Sequence, residues 1–470
     1  MELSSELIEQ FRDIVGVNNA VTNQDDIAPH LVENRGLYHG NSPLLLKPGS
    51  TVEVSAIVKL ANEHKISVVP QGGNTGLVGG QVPDGDIIIS LSRMNKIREV
   101  DVLGSVMVVE AGTVLANAQA AAEEHDLLFP LSLGSEGTCQ IGGNLSSNAG
   151  GTGVLAYGNS RELCMGLEVV LPNGKIWNGL RRLKKDNTGY DLRDLFIGAE
   201  GTLGIITAAV LKLVPQPIGR EVMYVGLDSP SAALELFNIA RRLCGPSLTG
   251  FELMPRFGVE ITIKHIDGCR DPLSDPHPWY VLVEISSGQS EKAARDLAEA
   301  FFMEGYEKGF AKDGAMAESE GQKQAFWNMR ESMSEAQKPE GGSIKHDVSV
   351  PIAKVPDFLE TASDAVSKYM SGIRICAFGH MGDGNIHYNI SQPVNADKQE
   401  FLSHWAAMNK IVHDIVLQMN GSISAEHGIG QLKRDELAAI RAPIEIELMQ
   451  GIKRTFDPNG IMNPNKVLQR

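Results

Sequence analysis

Cysteine is scarce in this sequence: five residues among 470 are scattered along the chain, and none belongs to a Cys-x-x-Cys pair. This distribution predicts neither a disulfide framework nor a cysteine zinc site. It indicates incidental thiols in a reducing compartment. Apolar runs of the ~18–20 residues needed to cross a bilayer are also missing. The first residues have no basic region and no long apolar stretch, so we expect no secretory signal and a cytoplasmic location.

Positive charge is in short supply as well. Lys and Arg number 42 against 58 Asp and Glu, which gives a formal net charge of −16. An acidic surface repels phosphate backbones and anionic lipid, so nucleic-acid or membrane binding as the main role is disfavoured. A small anionic substrate would need a locally basic pocket. Because one core rarely exceeds ~250–300 residues, a chain of this length predicts at least two domains.

Glycine is abundant, with 49 residues, and many of them cluster at 72–85, 134–158, 198–204 and 379–384. Such clusters indicate turns or a close approach of backbone to a ligand. Between them the N-terminal part reads as alternating helices and strands, including a hairpin around Asn173-Gly174. The pattern changes near residues 215–217, which predicts a domain boundary there.

The first glycine loop, residues 70–80, follows a predicted strand. Its glycines allow consecutive N–H groups to point one way and form an anion cradle, while Asn74 and Thr75 add side-chain donors. The loop has no Lys, so it is not a Walker A loop, and it does not match the Gly-x-Gly-x-x-Gly of a nicotinamide site. The pattern alone leaves open a surface loop of several turns.

Two further segments share this character. Residues 133–151 are small and polar over nearly twenty positions, which predicts a long loop folded around a bound cofactor. Residues 196–207 place glycines just before a β-branched strand. Neither segment identifies its ligand by itself.

Histidines and a glutamate lie in two glycine-rich turns near the C-terminal end. His380 and His387 flank the reversal at Asp383-Gly384, and Glu426 and His427 lie in a second turn. Two imidazoles and a carboxylate suit a divalent ion such as zinc, with Mn²⁺ or Fe²⁺ left open. Histidines satisfied within an ordinary core or surface are the alternative.

The three glycine segments, in this order and spacing, resemble the FAD-binding domain of the vanillyl-alcohol oxidase / p-cresol methylhydroxylase superfamily over roughly residues 40–215. The resemblance implies an α+β fold, with a two-subdomain FAD-binding domain and an α+β substrate domain built on an antiparallel sheet. It also implies non-covalent FAD, because Asn74 stands where some relatives carry a flavin-linked His. The expected cofactor-binding residues are Pro70, Gly72, Gly73, Asn74, Thr75, Gly76, Leu77, Gly80, Leu133, Gly134, Ser135, Thr138, Gly142, Gly143, Asn144, Ser147, Asn148, Gly150, Gly151, Glu200, Gly201, Gly204, Ile205 and Ile206.

The C-terminal turns resemble the metal-dependent D-2-hydroxyacid dehydrogenase branch of this superfamily. That resemblance implies His380, His387 and Glu426 as metal ligands and His427 as the active-site base. Its expected substrate-binding residues are Arg330, Ser334, Lys345, Asn389 and His427. Trp327–Glu331 is predicted to be helical, and residues 344–351 are predicted to form a strand.

The implied activity is FAD-dependent oxidation of a D-2-hydroxyacid to its 2-oxoacid, with D-2-hydroxyglutarate favoured and D-malate left open as a further substrate. A D-lactate or glycolate-type dehydrogenase and a non-catalytic flavin- or metal-binding subunit are the alternatives. A soluble acceptor such as electron-transfer flavoprotein is expected, and a homo-oligomer is left open. The expected domains are residues 1–217 for FAD, 218–420 for substrate, and 421–470 returning to the FAD domain.

Overall fold

A computed structural model describes residues 3–469 of the chain. These residues divide into two compact units. Of these residues, the first unit contains 3–151, 158–216 and 426–469, and the second contains Thr152–Tyr157 and Pro217–Ala425. Both units combine helices with sheets that contain antiparallel strands. The predicted α+β class is therefore confirmed. Within the described residues, no helix is long and apolar enough to cross a membrane.

The helices follow the chain in this order: α1 (Ser5–Val15), α2 (Gln24–Ile27), α3 (Thr51–Glu63), α4 (Leu115–Glu123), α5 (Ile141–Ser147), α6 (Val154–Tyr157), α7 (Arg193–Phe196), α8 (Pro230–Cys244), α9 (Arg256–His265), α10 (Glu291–Glu307), α11 (Glu320–Glu331), α12 (Met333–Ala336), α13 (Val355–Tyr369), α14 (Lys398–Ser403), α15 (Trp405–Gln418), α16 (Arg434–Ile440) and α17 (Pro443–Phe456).

The strands are β1 (Ala20–Val21), β2 (Leu45–Leu46), β3 (Val68–Gln71), β4 (Ile87–Ser90), β5 (Ile97–Asp101), β6 (Val106–Glu110), β7 (Leu127–Leu128), β8 (Cys164–Val170), β9 (Ile176–Gly179), β10 (Ile205–Lys212), β11 (Val214–Pro215), β12 (Gly219–Leu227), β13 (Leu248–Pro255), β14 (Trp279–Ser287), β15 (Asp313–Met316), β16 (Ser343–Lys345), β17 (Val348–Ser349), β18 (Arg374–His380) and β19 (Asn385–Ser391).

The first unit contains two larger sheets. One has the order β1-β2-β4-β3, with parallel pairing among β2, β4 and β3, and the other is antiparallel with the order β5-β6-β10-β8-β9. The predicted hairpin is present, since β8 and β9 pair across a turn in which Gly174 has φ +78°. The first glycine loop begins at the end of β3, so its backbone N–H groups are clustered at that edge of the sheet.

The C-terminal segment of the first unit is tied to β3. The amide of Val68 donates to the carbonyl of Ile461 at 2.8 Å, and the amide of Asn463 donates to the carbonyl of Val68 at 2.8 Å. The buried carboxylate of Asp457 fixes the intervening turn by accepting from the amides of Ile461 and Met462. A turn-rich tail of this kind stays ordered because its backbone groups are satisfied.

The second unit is organised around an eight-stranded sheet whose main path runs β15-β12-β14-β13-β18-β19-β16, with β17 paired to β19. Successive side chains of a strand face opposite sides, so the sheet has two buried faces. Helices α8, α10, α13 and α15 pack on one face, and α9, α11 and α12 on the other. We call the second one the α11 face, because its helices carry Arg330 and Ser334.

Two local expectations are wrong. Residues 133–151 do not form one continuous loop, because Ile141–Ser147 is helical. Its buried Ile141 and Leu145 supply packing that overrides the low helix propensity of its glycines. Residues 344–351 form two short strands rather than one. The ladder is interrupted where Nδ1 of His346 donates to the carbonyl of Tyr388 at 2.6 Å.

Candidate active site

A cavity in the first unit collects the three glycine-rich segments. It contains about 890 Å³ of empty space, part of it open to solvent. Most of the predicted cofactor-binding residues line it, and so does His427, the predicted base. The predicted residues at the lining are Pro70, Gly72, Gly73, Asn74, Thr75, Gly76, Gly80, Gly142, Gly143, Asn144, Ser147, Glu200, Gly201, Gly204, Ile205 and Ile206.

Missing side chains create this cavity wall. A Cβ on Gly73 would collide with the carbonyl oxygen of Thr138, and one on Gly142 would lie 2.7 Å from Cβ of Ala111. At Gly143, by contrast, a Cβ would meet no atom within 4 Å. The glycines therefore serve two purposes: some let backbones touch, and Gly143 leaves room in the cavity itself.

Several predicted cofactor residues lie outside the cavity lining: Leu77, Leu133, Gly134, Ser135, Thr138, Asn148, Gly150 and Gly151. Two of them have local hydrogen bonds instead. The hydroxyl of Thr138 donates to the carbonyl of Ser135, and the amide of Gly151 donates to Glu426 at 2.6 Å. Their roles toward a cofactor stay predictions.

Sequence reasoning missed part of the wall: Gln71, Val78, Gln81, Leu91, Ala111, Gln140 and Ser146. Gln71 lies within the first glycine loop and Gln81 directly follows it, so position alone could have suggested them. Gln140 matters chemically, because its Oε1 is buried with no hydrogen-bond partner among the described residues. An orphaned polar atom of this kind suits a polar ligand that completes its hydrogen bonding.

Asn74 adopts the left-handed backbone conformation, with φ +54°. Its side-chain amide donates to the carbonyls of Pro29 and Val32, at 3.1 and 2.9 Å, and its oxygen accepts from Gln81. The side chain thus fastens the glycine loop to the segment before β2. A neutral amide held in this way carries no nucleophile for a covalent flavin link.

Glu200 joins the third glycine segment to the turn that carries His427. Its two carboxylate oxygens accept from the amides of Ile429 at 2.7 Å and Gly430 at 2.8 Å. Burial raises the pKa of Glu200 to about 7, although both amides and the nearby Lys433 and Lys466 act in the opposite direction. The resemblance implied Glu200 only as a cofactor residue, whereas its contacts position the backbone next to His427, the predicted base.

The predicted metal ligands His380 and His387 lie on neighbouring strands of the second unit. Their ring centroids are 5.5 Å apart, and ligand atoms of the two rings come within 4.8 Å of each other. The β18–β19 hairpin produces this pairing, because His380 is opposite Asn385 and His387 opposite Phe378. Asp347, which is buried, also places a carboxylate oxygen within 4.8 Å of a ring nitrogen of His387.

Glu252 is the principal residue that sequence reasoning missed in this unit. One of its oxygens accepts from Nδ1 of His380 at 2.8 Å, and the other accepts from Arg330 at 2.8 and 2.7 Å. Burial opposes ionisation, but the charges and hydrogen bonds of His380 and Arg330 lower the pKa of Glu252 to about 2. The carboxylate is therefore charged within the protein interior.

Four of the five predicted substrate-binding residues, all except His427, belong to the α11 face. Nζ of Lys345 donates to the hydroxyl of Ser334 at 2.9 Å, and Lys345 is opposite Asn389 in the ladder. Arg330 is only 5% exposed and lies 4.7 Å from the centre of the Phe378 ring. Two cations and an amide are thus gathered on one face, which suits carboxylate binding.

Two family models cover most of the chain. The model described as "FAD binding domain" matches residues 43–179, and "FAD linked oxidases, C-terminal domain" matches residues 216–467. The chain is 39% identical over 468 residues to a probable mitochondrial D-2-hydroxyglutarate dehydrogenase of Oryza sativa subsp. indica, covering 99% of this chain and 82% of the relative. It is also 38% identical to a D-2-hydroxyglutarate dehydrogenase of Stutzerimonas stutzeri, covering 98% of both.

The chain belongs to the FAD-linked oxidase family, within its D-2-hydroxyglutarate dehydrogenase group. A solved structure of p-cresol methylhydroxylase with bound substrate matches it with a TM-score of 0.79 and 19% identity, covering 99% of this chain and 96% of that one. The expected superfamily fold is therefore confirmed. Since the chain belongs to an FAD-linked family, FAD is the expected ligand of the cavity lined by its glycine segments.

Gly143 offers a direct test of that cavity. Gly143→Val should lower FAD affinity at least tenfold while leaving the apoprotein fold intact, because the new side chain enters empty space rather than a neighbour. Flavin titration followed by fluorescence quenching measures the affinity, and circular dichroism of the apoprotein measures the fold. Gly451→Val is the matched control, since Gly451 is also helical with nothing within 4 Å of its Cβ and lies away from the lining. Unchanged FAD affinity in Gly143→Val would contradict the assignment.

Glu200 should make stability depend on pH. An unfolded Glu titrates near ~4.3, below the value of about 7 in the folded protein, so folding becomes less favourable as pH rises between these values. The loss attributable to Glu200 should reach roughly 2–3 kcal/mol. Relative to wild type, Glu200→Gln should therefore gain thermal stability from pH 5 to pH 8, as measured by melting of the flavin-loaded protein.

Glu168→Gln is the control for this titration. Glu168 is buried too; burial opposes its ionisation, but hydrogen bonds from Thr51, Arg98 and Thr207 give it a lowered pKa. Its stabilising effect is lost only as pH falls below ~4.3, so its difference from wild type should stay constant between pH 5 and 8. A constant difference for Glu200→Gln over the same range would show that Glu200 does not titrate there.

Proposed function

We propose that this protein oxidises D-2-hydroxyglutarate to 2-oxoglutarate, and D-malate as a second substrate, with FAD as the electron acceptor. The observation that carries the proposal is the full-length similarity to D-2-hydroxyglutarate dehydrogenases, at 38–39% identity. The gathered Arg330, Ser334, Lys345 and Asn389 support a substrate with a second carboxylate. We further propose the domain limits 1–217, 218–420 and 421–470.

The proposed site takes two bound groups. FAD occupies the cavity of the first unit without a covalent link, and a divalent ion, zinc above all, takes His380, His387 and Glu426 as ligands. When bound, FAD supplies hydride acceptance and the ion supplies charge stabilisation for the substrate oxygen. The paired imidazoles support the ion, since their ligand atoms lie within 4.8 Å of each other.

His427 is the proposed base. It lines the cavity assigned to FAD, so a hydroxyacid next to the flavin would be within its reach. A neutral imidazole can accept the C2 hydroxyl proton as a general base. Glu200 supports this role, because its bonds to Ile429 and Gly430 fix the turn that begins at His427.

Arg330 and Lys345 hold the substrate's carboxylates in this proposal. A dianion bound to an acidic protein needs local cations, and the two side chains supply them on one sheet face. The hydroxyl of Ser334 and the amide of Asn389 add hydrogen-bonding groups beside them. Both neighbours are fixed before substrate arrives, since Ser334 accepts from Lys345 and Asn389 donates to Gln337 at 3.1 Å.

Anaerobic bleaching of the flavin tests the activity. D-2-hydroxyglutarate should reduce the bound FAD, D-malate should do so more slowly, and L-2-hydroxyglutarate should not, because the stereocentre then presents its hydrogen elsewhere. Pre-treatment with a chelator should slow reduction, and added Zn²⁺ should restore it. A kcat/KM for D-lactate above that for D-2-hydroxyglutarate would overturn the substrate assignment, and no reduction by any acid would favour a non-catalytic subunit.

Replacing the base should separate chemistry from binding. His427→Ala should slow single-turnover flavin reduction by ~10²–10⁴, the usual scale of general-base catalysis, while FAD content stays unchanged. His64→Ala is a control, since that residue ends helix α3 outside the cavity lining. Reduction of the His427→Ala enzyme at the wild-type rate would remove His427 from the mechanism.

The reduced flavin needs an acceptor. We propose a soluble electron carrier such as electron-transfer flavoprotein. Family resemblance supports this acceptor, and so does the net charge of −16, which disfavours direct reaction at an anionic membrane surface.

A further inference from the structure

Glu252 lies in the middle of the second unit's sheet, on strand β13. Every residue of this strand is buried, and Glu252 itself is 1% exposed. It is opposite Leu282 on one neighbouring strand and His380 on the other. An unpaired carboxylate at such a position lowers the stability of the fold by several kcal/mol. Glu252 therefore needs close partners.

The two oxygens of Glu252 serve different partners. Oε1 accepts from Nδ1 of His380 at 2.8 Å, while Oε2 accepts from both Nε and Nη2 of Arg330, at 2.8 and 2.7 Å. A carboxylate that only paired with the buried Arg330 could place both oxygens on the guanidinium, whereas here one oxygen is given to His380. Here each oxygen orients a different residue of the proposed site.

The contact with His380 determines which ring nitrogen is available. Since Nδ1 donates its proton to Glu252, the neutral ring presents the lone pair of Nε2. A carboxylate that holds the far nitrogen fixes both the tautomer and the ring orientation of a metal-binding histidine, and loss of such a partner commonly weakens metal binding 10–100-fold. The contact with Arg330 fixes the guanidinium plane in the same way.

We propose that Glu252 is a positioning residue for both halves of the site: through His380 it prepares the metal site, and through Arg330 it orients the cation that recognises substrate. This inference rests on the proposed function. Glu252 touches neither the ion nor the substrate in this proposal, so its effect on both passes through two side chains on the α11 face.

Glu252→Gln tests the inference. A glutamine amide has one acceptor oxygen, so it can satisfy only one of the two donors and turns an NH₂ group toward the other. Zn²⁺ affinity of the flavin-loaded, metal-stripped protein, measured by competition with a chromophoric chelator, should fall 10–100-fold. The KM for D-2-hydroxyglutarate should rise as well, while flavin content and far-ultraviolet circular dichroism stay at wild-type values.

Glu284→Gln is the matched control. Glu284 lies on the adjacent strand β14 and likewise accepts from an arginine, Arg220, at 2.7 Å and from Nε1 of Trp327 at 2.9 Å. Its side chain accepts from Arg220, Thr249 and Trp327, and none of these is a predicted site residue. Its substitution should therefore leave Zn²⁺ affinity unchanged, which separates positioning from a general loss of a carboxylate within the sheet.

The outcomes distinguish the positioning role of Glu252 from the proposed function. A wild-type enzyme that binds Zn²⁺ and oxidises D-2-hydroxyglutarate, with equal Zn²⁺ affinity in Glu252→Gln, would overturn the positioning role and leave the proposed function standing. A wild-type protein that binds no Zn²⁺ would overturn the metal site and this inference with it. If Glu252→Gln does not fold, Glu252→Asp replaces it: the charge remains but the reach shortens, so affinity should fall by less than 100-fold, and no change would again overturn the role.

Discussion

Backbone contact without side chains is the constraint on which the first unit depends. The glycine loop after β3 touches the segment before α5 at Gly73, and α5 touches the end of β6 at Gly142, where a Cβ would lie 2.7 Å from Ala111. Gly201 lies against the Pro70 ring, where a Cβ would come within 2.5 Å of Cγ. A side chain at any of these places would push apart the segments that enclose the cavity. Composition is therefore tied to the fold here, since these glycines let the segments around the cavity approach one another.

Features with a local cause could be predicted from the sequence. Apolar spacing predicts a helix over residues 50–65, and the structure contains helix Thr51–Glu63 there. In its first turn the amide of Glu53 donates to the hydroxyl of Ser50 at 3.2 Å. The reversal at Asp383-Gly384 likewise predicts that His380 and His387 approach each other. Both are contained within a few turns of chain, where propensity and turn chemistry act without help from tertiary packing.

Features that depend on distant partners could not be predicted. Glu252 sits in an apolar strand, and its partner His380 is 128 residues away along the chain. Glu200 and Ile429 are separated by 229 residues. The helix Ile141–Ser147 was missed for a related reason, since glycine-rich composition predicts a loop and only its buried contacts make it helical. No local pattern distinguishes a buried functional carboxylate from a solvated one, so such residues emerge only from the fold.

Strand alternation explains how the second unit assembles its proposed site. Glu252, His380, His387, Lys345 and Asn389 each lie one position away from a side chain of the opposite core, so all five project toward the α11 face. Arg330 reaches them from helix α11 and is already held by Glu252 and the Phe378 ring. Recognition by a side chain ordered in advance loses little conformational entropy on binding. The expense of burying Glu252 is therefore explained by preorganisation, because the same carboxylate keeps the guanidinium and the imidazole in place before substrate arrives.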